Sequence, residues 1–152
     1  MSLHFAAVNT EGIVSDLDMG PAAYRVLLKI RAYCQPGGRI DQTQDQIAKL
    51  VGVSRATVIT GMRDLELARL LTRINNGAYQ LNPMVAPYRS PEDFVAAIKL
   101  MAPADRLDHK DFVKSYKQAA ADYKAQAEAE RERKAKEKTR RESSLHLLPA
   151  VG

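Results

Sequence analysis

A short helix is predicted just after Gln42, where apolar residues recur at helical spacing. Thr43 suits an N-cap, and Gln46 stands three residues later, where its side chain can complete a capping box. Gly52 ends the segment, because glycine adopts the left-handed C-terminal conformation without steric cost. The pattern therefore predicts a helix whose apolar face carries Ile47, Leu50 and Val51, with the small Ala48 where a second helix crosses closely.

A second helix is predicted to follow at once, with Ser54 as its N-cap. Its apolar residues Val58, Met62 and Leu65 are spaced i, i+4 and i+7 and so share one face. Two helices joined by a glycine turn, with small and apolar residues at these offsets, indicate a helix-turn-helix that binds nucleic acid rather than an ordinary helical corner.

A β-hairpin is predicted after the second helix. Two apolar-rich runs, 70–74 and 78–81, are separated by Asn75-Asn76-Gly77, and Asn-Gly supplies the positive φ angles of a tight turn. Residues 38–42 are expected to add a third strand, and Pro83 is expected to close the domain, since proline cannot donate to a ladder. The predicted fold class is mainly α with a small β wing (α+β): a winged helix-turn-helix plus a C-terminal helical extension.

The flanks of this domain have different patterns. Residues 1–18 show no regular period and are expected to form an irregular N-terminal arm, with a short strand as the alternative. A winged helix-turn-helix DNA-binding domain is expected to follow over residues 19–89. That domain opens with a helix from Pro21 to about Cys34. The folded core is predicted to span about residues 19–101.

The C-terminal part is predicted to be helical. Ser90 caps a helix that begins at Pro91, and residues 108–142 contain neither glycine nor proline. Residues 90–127 are therefore expected to be helices, and residues 128–152 a charged helical or disordered tail. The charged C-terminal helix is either a solubilising segment without a partner or a site for dimerisation, for docking of another protein or for non-specific DNA contact. The last ten residues, 143–152, are either disordered or a short linear binding motif.

Basic charge is concentrated in the predicted DNA-binding domain. The chain has a net charge of +5, and residues 19–89 contain ten Lys and Arg against four Asp and Glu. Because neutralisation of phosphates dominates non-specific affinity for nucleic acid, this distribution predicts double-stranded DNA as a partner.

The sequence gives little indication of catalysis, of a metal or cofactor site, or of a membrane span. Cys34 is the one cysteine, and its place in an amphipathic run predicts a buried structural thiol. The chain lacks a glycine-rich phosphate loop, and His4, His109 and His146 lie far apart, so we expect no catalysis, no metal and no cofactor. No apolar run is long enough to span a membrane, and we expect a soluble, cytoplasmic protein that associates with the nucleoid when bound to DNA.

Residues 19–89 resemble the winged-helix replication and maintenance proteins of small Gram-positive plasmids, the RepL-type family. The resemblance rests on IDQTQDQIAKLVGVSRATVITGMRDLE and on NNGAYQLNP, in which the wing returns into an Asn-Pro pair. The same region is similar to the helix-turn-helix of MarR-type transcriptional regulators. Such motifs usually carry a glycine between the recognition helix and the wing, where this chain has Arg69.

The resemblance and helix geometry together imply that the second helix enters the major groove of DNA. Arg55 is the candidate for a contact with a guanine edge, with a phosphate contact as the alternative. Ile59 is expected to contact a thymine methyl group, with a half-buried position as the alternative. Asn75 and Asn76 are expected either to contact DNA or simply to form the turn of the wing. The predicted DNA-binding residues are Gln44, Ser54, Arg55, Ala56, Ile59, Thr60, Arg63, Arg73, Asn75 and Asn76.

Three functions fit these features. The first is a sequence-specific transcriptional regulator, and the second is a plasmid replication or maintenance initiator that binds an origin and recruits partners. The third is a winged helix that binds protein without DNA, which the basic charge and the outward Arg55 and Arg63 disfavour. A homodimer and a protein partner for the C-terminal helices are further expectations. Sequence alone favours the first function.

Overall fold

The computed structural model describes residues 3–147, and the last residues of the predicted C-terminal motif, 148–152, lie outside that range. The chain divides into two compact units, one ending at Lys117 and the other beginning at Gln118. The elements in chain order are α1 (Thr10–Asp16), α2 (Pro21–Tyr33), β1 (Arg39–Ile40), α3 (Gln44–Val51), α4 (Arg55–Leu67), β2 (Leu71–Asn75), β3 (Ala78–Leu81), α5 (Pro91–Lys99), a 3-10 turn (Pro103–Asp105) and α6 (Phe112–His146).

The fold class is the predicted one, an α+β structure like a winged helix. The strands form one antiparallel sheet in the order β1-β3-β2, so the third strand pairs with the hairpin as expected. Gly38 leads into β1 with φ +96°, and a Cβ there would lie 2.8 Å from the Cβ of Ala86. Both the positive φ and the close approach restrict this position to glycine.

The helix-turn-helix forms as the sequence predicts. Thr43 and Gln46 make the full capping box at the start of α3, and Gly52 ends that helix with φ 79°. Val58 and Leu65 of α4 are completely buried, and Met62 nearly so. The predicted apolar face of α3 is confirmed for Ile47 and Val51, which are buried, whereas Leu50 is only half-buried.

Helices α2 and α4 cross closely at Gly61 of α4, a position the sequence did not single out. A Cβ on Gly61 would stand 3.0 Å from the carbonyl carbon and oxygen of Ala22 in α2. The close approach of the α2 backbone therefore favours glycine here, although glycine is a poor helix former. The predicted small residue, Ala48 of α3, is also buried.

The hairpin turn differs from the prediction. Neither Asn76 nor Gly77 has a positive φ, so the mirror-image turn expected from Asn-Gly is absent. Instead the Gly77 amide donates to the Asn75 side-chain oxygen at 2.9 Å, and the β2–β3 register shifts between Arg73 and Asn75. The β-bulge supplies the local twist that the predicted turn would otherwise have given.

The N-terminal arm is not irregular along its whole length, because residues 10–16 form α1. Val14 and Leu17 are buried in the core, and the Tyr24 hydroxyl donates to the Val14 carbonyl at 2.9 Å. The prediction failed because a helix this short has too few turns to show a period, and packing against α2 holds it.

Pro83 does not close the domain, and the predicted core of residues 19–101 is too short at both ends. Asn82 is buried and its amide donates to the carbonyls of Arg69 and Asp105, at 3.0 and 2.8 Å. Further along the chain, Leu107, Phe112 and Tyr116 are buried. Long-range packing of this kind leaves no local mark in the sequence.

Candidate nucleic-acid interface

The outward face of α4 carries the residues predicted to meet DNA, with differing exposure. Arg55, Ala56 and Thr60 are exposed, whereas Ile59 and Arg63 are half-buried. The Thr60 hydroxyl donates to the Ala56 carbonyl at 3.1 Å. The exposed part is thus the N-terminal half of α4, which is the part of a recognition helix that usually contacts bases.

Arg55 is already in an ion pair. Its Nε lies 3.5 Å from a carboxylate oxygen of Asp45 in the first turn of α3, and the two side chains are 61% and 66% exposed. Such exposed pairs contribute about 0–1 kcal/mol, so Arg55 can leave Asp45 for another acceptor at little cost. Sequence reasoning missed this pair, since Asp45 stands ten positions earlier and only the tertiary fold joins them.

Ser54, one of the predicted DNA-binding residues, caps α4 with its side chain. Its hydroxyl oxygen accepts from the Thr57 amide at 3.1 Å and lies 2.9 Å from the Thr57 hydroxyl. The residue remains exposed, so a second hydrogen bond to a phosphate oxygen is geometrically open to it.

Gln44 is half-buried at the start of α3, with its side chain beside the Tyr79 hydroxyl. Burial raises the pKa of Tyr79, and the neighbouring Gln44 and Arg73 act in the opposite direction. The hydroxyl oxygen is buried and makes no hydrogen bond of full geometry. The half-buried Gln44 side chain beside it is therefore partly turned toward the protein.

The wing is an exposed edge whose polar side chains bond one another. In β2 only Leu71 is buried, and Ile74 is 47% exposed. Arg73 donates to the side-chain oxygen of Asn76, and Asn75 holds the turn through the Gly77 amide. The structure thus gives both asparagines a role in the wing itself, and the Arg73 guanidinium keeps an exposed position.

The wing tip and the start of α3 are neighbours. A Cβ on Gly77 would lie 3.9 Å from the Thr43 methyl group. The turn of the wing therefore lies close to the start of α3, next to the predicted DNA-binding residue Gln44.

Acidic groups modify the charge of this surface toward the C-terminal half of α4. Burial raises the pKa of Asp64, against the opposing effects of Arg63 and the Gly20 amide. Burial also raises the pKa of Glu66, against the opposing charge of Arg73. Both arginines therefore act on carboxylates of the same domain.

Arg69 occupies the place where the family resemblance would put a glycine. It has φ 58°, and the amides of Arg69 and Leu70 donate to the carbonyls of Glu66 and Leu65, which is the bonding pattern of a Schellman motif. The Arg69 side chain bonds the Ala104 carbonyl at 3.2 Å. The helix thus ends and the wing begins as they would with glycine, although a non-glycine residue in this conformation costs about 1 kcal/mol.

Residues 3–147 contain neither a membrane-spanning helix nor a cluster of metal-binding side chains. No helix in that range is long and apolar enough to cross a membrane. The same residues contain no cluster of three or more His, Cys, Asp or Glu side chains placed to hold a metal ion.

Comparisons with known proteins identify the family. The model of the Firmicute plasmid replication protein family, RepL, matches residues 1–89, which include α1 through β3 and end just after the bridge between Phe5 and Tyr88. The comparisons with curated proteins and with solved structures gave no match, and none of the three shows a likeness to MarR-type regulators. Because the family model covers more than half of the chain, this protein belongs to the RepL family of Firmicute plasmid replication proteins.

Proposed function

We propose that the protein binds double-stranded DNA in plasmid replication, using α4 in the major groove and the wing on the neighbouring backbone. The observation that carries this proposal is the family match over residues 1–89, which coincides with the winged-helix elements that present Arg55 and Arg73 to solvent. The binding site on DNA would be a plasmid origin. This deepens the second of the three functions considered from the sequence, rather than the first.

Arg55 is the proposed base-reading residue. A guanidinium offers two parallel donors to guanine O6 and N7, and Arg55 stands at the first position of α4. Asp45 holds it in a weak pair when DNA is absent. A guanine edge offers two acceptors to the guanidinium in place of this one exposed contact, so Arg55 would exchange its partner on binding.

Transcriptional regulation would use the same DNA surface and is the alternative form of this proposal. A reporter assay separates the two processes. A plasmid whose replication depends on the protein should be lost when Arg55 is changed to Ala, while a promoter next to the binding site should respond only if the protein is also a regulator.

The salt dependence of binding tests the DNA interaction itself. If the surface neutralises about 4–6 phosphates, log affinity should fall against log salt concentration with a slope of about −4 to −5. Selection from a random duplex library should supply the cognate duplex. No binding to any duplex at low salt would overturn the proposal and favour a protein-binding winged helix.

Three substitutions separate base reading from backbone contact. Arg55→Ala should cost about 1–3 kcal/mol on the cognate duplex and relax preference at one position, while Arg73→Ala should weaken binding to all sequences alike and reduce the salt slope by about one. Asp45→Asn should strengthen binding slightly, because it removes a negative charge and releases Arg55.

Arg106→Ala is the matched control, since Arg106 is also a surface arginine in an ion pair, with Asp108 at 2.8 Å. It removes the same charge outside α4 and the wing. An Arg55→Ala protein that keeps its fold, its affinity and its sequence preference would show that the proposed recognition face is wrong.

The proposed role requires binding only, with no catalysis. Incubation of the protein with a supercoiled origin plasmid and Mg²⁺ tests this: the plasmid should remain supercoiled, and conversion to the nicked form would contradict the proposal. Recruitment of other replication proteins is proposed for the C-terminal helices. From Gln118 to Leu147 every residue is exposed except the half-buried Ala119, Ala120, Ala127 and Glu137.

A further inference from the structure

Helix α5 rests on the winged-helix unit without burying any of its residues. The side toward the unit is held by Phe94, whose ring meets that of Tyr88 edge-on, with centroids 5.4 Å apart. Ala97, Ile98 and Met101 are half-buried on the same side. The opposite side of α5 is therefore a fully accessible helix face.

That accessible face has an unusual composition for a solvated surface. Glu92, Val95, Ala96 and Lys99 are all exposed and are spaced i, i+3, i+4 and i+7, so they form one stripe. Val95 is 49% exposed, and Leu100 beside the stripe is 89% exposed. A preference of acids for helix N-termini and bases for C-termini accounts for Glu92 and Lys99, but not for the exposed apolar residues between and beside them.

The stripe is complementary to itself when two such helices run antiparallel. Glu92 and Lys99 are seven residues apart, about 10.5 Å along a helix, and the midpoint between them falls between Val95 and Ala96. Rotation about a two-fold axis at that midpoint places Glu92 of each copy opposite Lys99 of the other and brings the apolar centres together. A parallel pairing would instead set like charges against each other.

We propose that α5 is a contact surface between two copies of this chain, paired antiparallel about a two-fold axis near Val95 and Ala96. A cleft of about 560 Å³ borders the stripe, between Asp93 and Ala96 on one side and the turn at Pro36 and Gly37 on the other. This cleft can receive an apolar side chain, such as Leu100, from the second copy.

The pair is expected to be weak in solution. A contact made chiefly by one nine-residue helix lies at the small end of specific protein interfaces. Two copies that bind neighbouring DNA sites would raise each other's effective concentration and so complete the contact. The pairing itself does not depend on DNA, and a two-fold pair would present two α4 helices to an inverted repeat.

Reciprocal charge reversals test the arrangement. Glu92→Lys alone and Lys99→Glu alone should each weaken self-association by about tenfold, because both charge pairs of the two-fold contact become repulsive. The double substitution in one chain should restore it. A mixture of the two single variants should form a heterodimer tighter than either homodimer, since every Lys then faces a Glu.

Sedimentation of the full chain over a range of concentrations up to about 1 mM measures each association, and a thermal melt of each variant confirms that it is folded. A wild-type protein that stays monomeric over the whole range would overturn the proposal. So would a dimer whose stability does not respond to the single reversals, or single variants that are not rescued by mixing. Glu128→Lys in α6 is the control for a general effect of charge and should leave the association unchanged.

Binding to a short duplex that holds one site distinguishes this proposal from the proposed function. The single reversals should bind that duplex as the wild type does, because α5 lies outside the DNA-binding residues. On a duplex with two inverted sites, wild type should bind more tightly than on the single site, and the single reversals should lose this gain in affinity.

Discussion

Helix α4 and the distal part of α6, residues 118–146, are both rich in charged side chains but are stabilised in different ways. Helix α4 buries Val58, Gly61, Met62 and Leu65 against the rest of its unit. No residue of the distal α6 is buried. The helix predicted to contact DNA therefore derives its position from tertiary packing, whereas the distal α6 has to be held by contacts within itself.

Those contacts are ion pairs one helical turn apart. Lys134 bonds Glu130 at 3.0 Å, and Arg141 bonds Glu137 at 2.7 Å. Each exposed pair of this type contributes about 0.2–0.5 kcal/mol, which suits a local helix but fixes no tertiary position. A helical conformation by itself therefore does not indicate that a segment belongs to a folded core. Substitutions in the two helices should change the free energy of unfolding by very different amounts.

The largest expected effect comes from a charge placed in the core. Val58→Asp should unfold the winged-helix unit, because Val58 is completely buried and an unpaired carboxylate there costs more than about 3 kcal/mol of a total stability near 5–15 kcal/mol. Circular dichroism and a thermal melt measure the loss. Ala129→Asp in the exposed distal α6 is the matched control and should leave the main transition unchanged; equal losses in both proteins would contradict the comparison.

The reaction rate of a cysteine with a thiol reagent measures the same difference between the buried core and the exposed distal α6. Burial raises the pKa of Cys34 from 9.0 to about 11, so at pH 8 its thiolate fraction should be about 100-fold below that of an ordinary cysteine. Cys34 should react at least that much more slowly than a cysteine introduced by Ala129→Cys in a Cys34→Ser background. Similar reaction rates in the two proteins would show that the fold does not shield the Cys34 thiol from the reagent.

The pH dependence of stability follows from the same shift in pKa. The folded state keeps the Cys34 proton to a higher pH than the unfolded state does, so this residue's contribution to the free energy of unfolding should fall between about pH 9 and 11. Cys34→Ser should remove that part of the decline, as denaturant titrations across this pH range would show.

A smaller loss is expected where α2 and α4 cross. Gly61→Ala should destabilise the unit by about 1–3 kcal/mol, since the new methyl group would lie 3.0 Å from the backbone of Ala22. Gly12→Ala in α1 is the control: its methyl group would meet nothing within 4 Å, and the change should stabilise by about 0.5–1 kcal/mol. A Gly61→Ala protein at least as stable as wild type would mean that α2 and α4 can move apart without any loss of stability.

The smallest effect should come from removing residues 128–152. A chain that ends at Ala127 should melt within about 2 °C of the full chain, because none of residues 128–147 is buried. Differential scanning calorimetry compares the two proteins. A markedly lower melting temperature would show that residues 128–152 do contribute to the core.

Much of the winged helix followed from local patterns. The capping box at Thr43, the left-handed Gly52 and the Ser54 cap are decided by a few neighbouring residues, so each was predictable and each is present. The apolar spacing of α4 likewise fixed which side faces the core. Once the core-facing side of α4 was known, helix geometry placed Arg55 on the outward side.

Residues distant in sequence decided what the local patterns missed. Arg69 takes a left-handed conformation without glycine, in a position where its side chain bonds the Ala104 carbonyl and its own carbonyl accepts from Asn82. The hairpin turn is set by a bulge and an Asn75 hydrogen bond rather than by positive φ angles.

The sequence by itself determined the order of the α-helices and β-strands from α2 onward and the basic character of the predicted DNA-binding domain. Tertiary structure alone decided that α1 and Phe112 belong to the core, that Gly61 meets Ala22, and that Asp45 pairs with Arg55. The physical reason is range. Caps, turns and amphipathic periods act over a few residues, whereas burial and ion pairing depend on which segments the folded chain brings together.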